Sequence, residues 1–228
     1  MERFKNIAQM IDSGGSVAEI GADHAKLILY LLEQGLCDRG IATELNDGPF
    51  KRVSEAVAAS PYREKVLLRK GDGLRILQPG EVDNVIIAGL GGETIVEILA
   101  YDLDLAASFN NYVLQPMSRS GVLRRFLSLR GWPVIQEKIV KNKHHYYTII
   151  QVRPGDTPYR LDLPEQEMGM TVLSDPGPAG MDYLFSQLAR YKKVHKGLKA
   201  ANIPSAHNEI VHYKSLIDWL EEKINASS

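Results

Sequence analysis

From Ser16 to about Val152, short runs rich in Val, Ile and Leu alternate with stretches whose apolar residues recur at helical spacing. That alternation restricts the chain to an α/β fold around a mainly parallel sheet, because parallel neighbours need a crossover element between them. The runs place strands at Val17–Gly21, Gly40–Leu45, Val66–Lys70, Val82–Ala88 and Tyr112–Gln115, and helices at His24–Gln34, Gly48–Ala59, Gly92–Leu99 and Gly121–Leu129. After Gly131 the order changes. Val134–Val140 and Tyr146–Val152 are joined only by Lys141-Asn142-Lys143-His144-His145, too short for a crossover helix, so they form an antiparallel hairpin. Ahead of the first strand, Phe4, Ile7, Ala8 and Ile11 fall at helical spacing and mark a capping helix laid over the sheet or over what it binds.

Between Arg153 and Gly180 five prolines interrupt regular structure, and the stretch reads as a linker. Beyond it, Leu184, Leu188, Tyr191, His195 and Leu198, then Ile210, Tyr213, Ile217, Leu220 and Ile224, recur at alternating spacings of three and four. This heptad-like pattern, broken at Asn202-Ile203-Pro204-Ser205, describes an antiparallel helical hairpin of coiled-coil type. The organisation is therefore a sheet domain at 1–153, a linker at 154–180 and a helical hairpin at 181–228. No apolar run approaches the roughly 20 residues that span a bilayer, and the first twenty residues lack a secretory apolar core. A cytoplasmic protein with no membrane partner is expected. The single cysteine, Cys37, excludes an internal disulfide framework and a Cys-rich zinc site, and reads as a small buried hydrophobe.

The strand Val17–Gly21 runs straight into Gly21-Ala22-Asp23-His24-Ala25 and a leucine-rich helix, the place where a Rossmann-like sheet holds a nucleotide-type cofactor. Gly21 lets the backbone turn sharply and a ligand come close, and the helix amides beyond it are expected to be free donors. The turn has one glycine and so departs from the G-x-G-x-x-G dinucleotide fingerprint, which leaves a nicotinamide-dependent oxidoreductase as a minor alternative. Five parallel strands closed by an antiparallel hairpin are the plan of class I S-adenosylmethionine-dependent methyltransferases.

On that plan each strand end offers a candidate. Glu19 and Asp23 lie near the methionine part of the cofactor, where their carboxylates can accept hydrogen bonds from its ammonium or from loop amides; the alternative for Glu19 is a loop stabiliser. Glu44, followed by Leu45, ends the second strand about twenty residues on, where a carboxylate can accept from both ribose hydroxyls. Asp72, between Gly71 and Gly73, can accept from the exocyclic amine of adenine, although the same residues suit a plain turn. Ala88-Gly89-Leu90-Gly91-Gly92 makes a close-approach loop beside the reacting methyl, and Gln115 can position the acceptor base or merely cap its strand. His24 either packs on the cofactor or donates to a loop carbonyl. No other His, Cys or carboxylate lies at ligand spacing from it, so no metal is expected.

Taken together, Val17-Ala18-Glu19-Ile20-Gly21-Ala22-Asp23-His24-Ala25, Gly71-Asp72-Gly73-Leu74, Ile87-Ala88-Gly89-Leu90-Gly91-Gly92, Leu114-Gln115-Pro116, the hairpin around Glu137-Lys138-Ile139-Val140 and the appendage after Gly177-Pro178 resemble the bacterial tRNA (adenine-22, N1)-methyltransferase family. The family usually carries serine at Ala22, tyrosine at Lys26, proline at Ile28, methionine at Leu90 and asparagine at Met117. The changes at Lys26 and Met117 alter polarity near the cofactor and the base. The resemblance implies S-adenosylmethionine as cofactor, tRNA as partner, and a catalytic set of Asp23, Gly89, Leu90 and Gln115. Cofactor contacts are implied at Glu19, Gly21, Asp23, His24, Glu44, Leu45, Gly71, Asp72, Gly73, Ala88 and Gly89.

Net charge is −1, so bulk electrostatics do not draw the chain to nucleic acid. Local charge does. Arg190, Lys192, Lys193, Lys196 and Lys199 face only Asp182 within Met181–Ala200, a run that is either a solvated helix face or a grip on RNA phosphates. Arg119, Arg124, Arg125, Arg130, Lys141, Lys143, His144 and His145 offer a second basic patch. Two other readings remain at this stage: a methyltransferase for a small molecule or protein, with the hairpin as a dimerisation arm, and a non-catalytic RNA-binding protein that retains the fold. A monomer or weak homodimer is expected.

Overall fold

The computed structural model describes residues 2–143, 145–201 and 203–226. The elements run α1 (Glu2–Ala8), β1 (Gly15–Ile20), α2 (Lys26–Glu33), β2 (Cys37–Glu44), α3 (Asp47–Ala58), β3 (Val66–Lys70), β4 (Asn84–Leu90), α4 (Gly92–Ala100), α5 (Leu103–Ala107), β5 (Asn111–Pro116), α6 (Ser120–Arg130), β6 (Val134–Asn142) and β7 (His145–Val152). The all-helical remainder comprises α7 (Leu163–Met168), α8 (Met170–Ser174), α9 (Gly177–Ala201) and α10 (His207–Ala226). Two compact units divide at Arg160 and Leu161.

In the first unit the strands form one seven-stranded sheet in the order β3-β2-β1-β4-β5-β7-β6. The first five run parallel, and β7 pairs antiparallel with both β5 and β6, the Rossmann-like plan with its terminal hairpin. Strands covered on both faces must be apolar throughout, and β5 is buried at all six positions. Ile7, Leu31 and Val53 bring α1, α2 and α3 onto one face; Ile95, Leu99, Ala106, Leu123 and Leu127 bring α4, α5 and α6 onto the other. At the amino edge, a buried amide network fixes register. Asn84 Oδ1 accepts from Asn111 Nδ2 (2.8 Å) and from the Asp12 N–H (2.8 Å), and Gln151 Nε2 donates to Asn111 Oδ1 (3.0 Å). Each of these side chains is hydrogen-bonded, so the network orders β4, β5 and β7 while its bonds offset the cost of burying the amides.

Three differences from the sequence expectations have local causes. The helix expected from His24 starts at Lys26, because His24 (φ 65°) and Ala25 (φ 50°) adopt left-handed backbone and turn the chain first. Helix α5 falls between expected elements. It is one short turn started by Asp102, whose carboxylate accepts from the Leu105 N–H at 2.9 Å. The proline-rich stretch 154–180 carries α7, α8 and the start of α9. Pro164 sits in the first turn of α7, where a missing N–H costs nothing, and Asp162 and Glu165 close a capping box around it.

In the second unit α9 and α10 bury Tyr183, Leu184, Tyr191, Leu216, Ile217, Leu220 and Ile224. Helix α9 ends at Ala201; Asn202, in the expected break, lies outside the described residues, as does His144 in the hairpin turn.

Candidate active site

At the carboxyl edge of the sheet a cavity of about 320 Å³ opens between the ends of β1, β2, β3 and β4 and the outer side of α4. It lies beside the β1–β4 step, where strand order reverses direction, which is where open α/β sheets hold ligands. Its size is at the lower end of the range for small-molecule sites. Of the expected residues, Gly21, Glu44, Leu45, Gly71, Asp72, Gly73 and Leu90 line it. Glu19, Asp23, His24, Ala88, Gly89 and Gln115 do not, and the structure gives most of them other contacts.

Two carboxylates hold the turn after β1. Glu44 Oε1 accepts from the Asp23 N–H at 2.9 Å, and Glu19 Oε2 accepts from the Ile28 N–H at 3.1 Å. The left-handed pair His24 and Ala25 lies between these anchors, and strained backbone persists only where its surroundings fix it. The helix amides are thus not all free donors. Glu19 stabilises the loop, and burial pushes its carboxyl up to about 8, against the Ile28 hydrogen bond and the nearby charge of Arg3. Burial also pushes the Glu44 carboxyl up from its ordinary value, opposed by the N–H groups of Asp23 and Leu45. Asp23 Oδ1 accepts from both Arg52 Nε (3.2 Å) and Nη2 (3.0 Å), and His24 Nε2 lies 3.7 Å from the same oxygen. Among the described residues no cluster of three or more His, Cys, Asp or Glu is arranged to hold a metal.

The other end of the cavity has contributors that the sequence reading did not name. Arg75 reaches back to Asp72 (3.1 Å), and its guanidinium carbon lies over the Tyr101 ring, 3.4 Å from the centroid. Thr94 and Glu97 of α4 also face the space. Thr94 lies in the first turn of the helix that follows Gly91, a legible signal, whereas the Arg75–Tyr101 contact joins residues far apart in sequence and leaves none. Leu45, half exposed, gives this end an apolar shelf.

At β5, Gln115 is fully buried. Its Oε1 accepts from Arg3 Nη1 (3.1 Å) and its Nε2 donates to the Pro116 carbonyl (3.1 Å), so both ends of the carboxamide are already engaged within the protein. Arg124, expected in a second basic patch, is buried at 2% exposure against Glu137. Arg190, Lys193, Lys196 and Lys199 are exposed on α9, while Lys192 pairs with Glu221 at 2.7 Å.

The residues fit a nucleoside with an extended tail. Gly21 (φ 73°) and Gly89 (φ 84°) adopt backbone that L side chains avoid, and a Cβ on either would point into open space, so a ligand can approach both chains closely. Glu44 presents a carboxylate, Leu45 an apolar shelf, and Asp72 a second acceptor beyond.

A Rossmann-like sheet ending in an antiparallel hairpin, with this cleft over its carboxyl edge, defines a class I S-adenosylmethionine-dependent methyltransferase, and the model of the methyltransferase domain family matches residues 1–150. The chain is 31% identical over 171 residues to the tRNA (adenine(22)-N(1))-methyltransferase of Bacillus subtilis, covering 75% of this chain and 72% of that one. It belongs to the tRNA (adenine-22, N1)-methyltransferase family. The crystal structure of the B. subtilis m1A22 enzyme superposes with a TM-score of 0.86 at 25% identity, over 98% of this chain and 97% of that chain. A Streptococcus pneumoniae structure in complex with S-adenosyl-L-methionine gives 0.82 at 25% identity, over 98% and 99%.

Proposed function

We infer that this chain transfers the methyl group of S-adenosylmethionine to N1 of adenine 22 in tRNA. The observation that carries the reading is the carboxyl-edge cleft, with Glu44 at the end of β2, in a chain of this family. When bound, S-adenosylmethionine supplies an electrophilic methyl group. Glu44 would accept from the ribose hydroxyls with the carboxylate capacity left by the Asp23 N–H, and Asp72 from the adenine amine. Gly21 and Gly89 admit the tail of the cofactor. Glu19, Asp23 and His24 serve the same site by shaping the loop after β1.

N1 of adenine carries a lone pair in the ring plane, so it can attack without prior deprotonation and the protein's main task is alignment. Holding two reactants in line contributes on the order of 7–11 kcal/mol in favourable cases. Because N1 lies on the pairing edge, the base must be unpaired or extruded, and the RNA must be gripped elsewhere. Arg190, Lys193, Lys196 and Lys199 would supply that grip through phosphates. Mass spectrometry of nucleosides from unmodified tRNA, incubated with the protein and labelled cofactor, tests the reading directly. Labelled 1-methyladenosine is the expected product, and unlabelled RNA would refute it.

Two variants separate the two grips. Glu44→Ala should weaken binding of S-adenosylhomocysteine by about 1–3 kcal/mol in calorimetry. Unchanged affinity would remove Glu44 from the site. Replacing Lys193, Lys196 and Lys199 by Glu, with the Lys192–Glu221 pair left intact, should raise the Michaelis constant for tRNA and flatten its salt dependence. Cofactor affinity should stay the same, and equal activity on tRNA would take the basic helix face out of RNA binding.

A further inference from the structure

Met117, just past the end of β5, is 54% exposed, and one exposed apolar side chain is by itself ordinary surface. Its surroundings are not ordinary. The Met117 N–H donates to the Leu90 carbonyl at 2.8 Å and the Gly92 N–H to the Ser118 carbonyl at 2.8 Å, so the loops after β4 and β5 are joined. This join sets Met117 beside Leu90, which itself lines the cleft. Gln115 Nε2 lies 3.4 Å from the Met117 sulfur. The opposite end of that carboxamide is held by Arg3, whose guanidinium rests near the Phe4 and Tyr147 rings at 5.4 and 5.5 Å. A side chain with three rotatable bonds would normally sample many rotamers. Here its sulfur is tied to the first helix of the chain through a buried amide.

Resting on the methyl-transfer reading above, we propose that Met117 is the platform on which the acceptor adenine packs, with Arg3 acting through Gln115 as its positioning residue. An extruded base is held by stacking against apolar or aromatic side chains, and a polarizable thioether suits the face of a purine. Methionine has no N–H or O–H to donate, so it can orient the ring without engaging the N1 lone pair. Gln115 has no direct part in this. Its amide is buried and already bonded, and its role is to keep the sulfur still.

Steady-state kinetics on unmodified tRNA, with calorimetry of S-adenosylhomocysteine, test the proposal. Met117→Ala should lower kcat/KM for tRNA about tenfold, while Met117→Leu, which keeps an apolar platform, retains most of it. Arg3→Met should lower kcat/KM for tRNA, with Arg3→Lys restoring part of it, and all variants should bind S-adenosylhomocysteine as the wild type does. An active wild type with an unchanged Met117→Ala overturns the platform alone, as does a parallel loss of S-adenosylhomocysteine binding. A wild type that binds S-adenosylhomocysteine but methylates no tRNA overturns the underlying reading as well.

Discussion

Replacing Arg124 by Met is expected to cost the protein about 3–5 kcal/mol of stability, because it strands the Glu137 carboxylate in the interior. Arg124 on α6 meets Glu137 on β6 through Nε at 3.0 Å and Nη2 at 2.6 Å, with side-chain exposures of 2% and 1%. Nη1 reaches Ser120 at 3.4 Å. A carboxylate so enclosed tolerates its charge only while the guanidinium faces it. The partner variant decides the cause. Arg124→Met combined with Glu137→Leu removes both charges and leaves apolar groups of similar volume, which is often neutral or stabilising. The urea midpoint should therefore fall sharply in the single variant and recover in the double. Equal loss in both would mean that the pair matters through shape and not through charge. The pair also fixes α6 against the hairpin, and α6 begins just after the loop that carries Met117. Loss of the pair should therefore reduce methyl transfer before it unfolds the protein.

That arginine shows where a sequence stops being informative. Arg124 and Arg125 are adjacent, equally charged and on one helix, yet Arg124 is among the largest fully enclosed side chains while Arg125 is outside. Helical period says that neighbours face different ways, but not which one meets Glu137 thirteen positions on. The strands were legible for the opposite reason. A run such as Ile86-Ile87 or Val113-Leu114 must be covered on both faces, and the hairpin after Gly131 follows from the absence of room for a helix. The left-handed step at His24 and Ala25 carries no glycine to announce it. It is imposed by carboxylates at either end, Glu19 and Glu44, and the Glu19 contact with Ile28 is the same fact read from the other side. Glu19 therefore satisfies a helix amide where the turn pattern alone suggested an open donor. The cleft was partly legible: Glu44, Leu45, Asp72 and its flanking glycines meet at one opening because strand ends converge there by topology. Arg75 and Tyr101 were invisible, since their contact depends on how α4 lies over the turn after β3.

Gly92→Ala should lower kcat for tRNA methylation about a hundredfold, a scale that displacement of reacting groups by about 1 Å produces. On propensity alone the change would help, since alanine stabilises a helix over glycine by about 0.5–1 kcal/mol. Here the sign reverses. A Cβ on Gly92 would lie 2.3 Å from the Arg119 carbonyl oxygen and 2.9 Å from that of Ser118, both of them backbone atoms that cannot rotate aside. Arg119 is itself held in left-handed backbone (φ 54°), so the β5 loop has little freedom to yield by local torsion. The strain must part the two loops and stretch the Gly92 N–H to Ser118 carbonyl bond, moving Leu90 and Met117 away from each other at the mouth. Gly91→Ala is the matched control. Its Cβ would meet the Ser118 hydroxyl at 3.5 Å and the Thr94 hydroxyl at 3.8 Å, ordinary contacts with side chains, and its φ of −67° suits any residue. The affinity for S-adenosylhomocysteine should change less than kcat in Gly92→Ala, because Gly21, Glu44 and Asp72 lie at the ends of other strands even though Leu90 shifts. Comparable kcat in the two variants would show that close approach of the β4 and β5 loops is not what aligns the reacting groups.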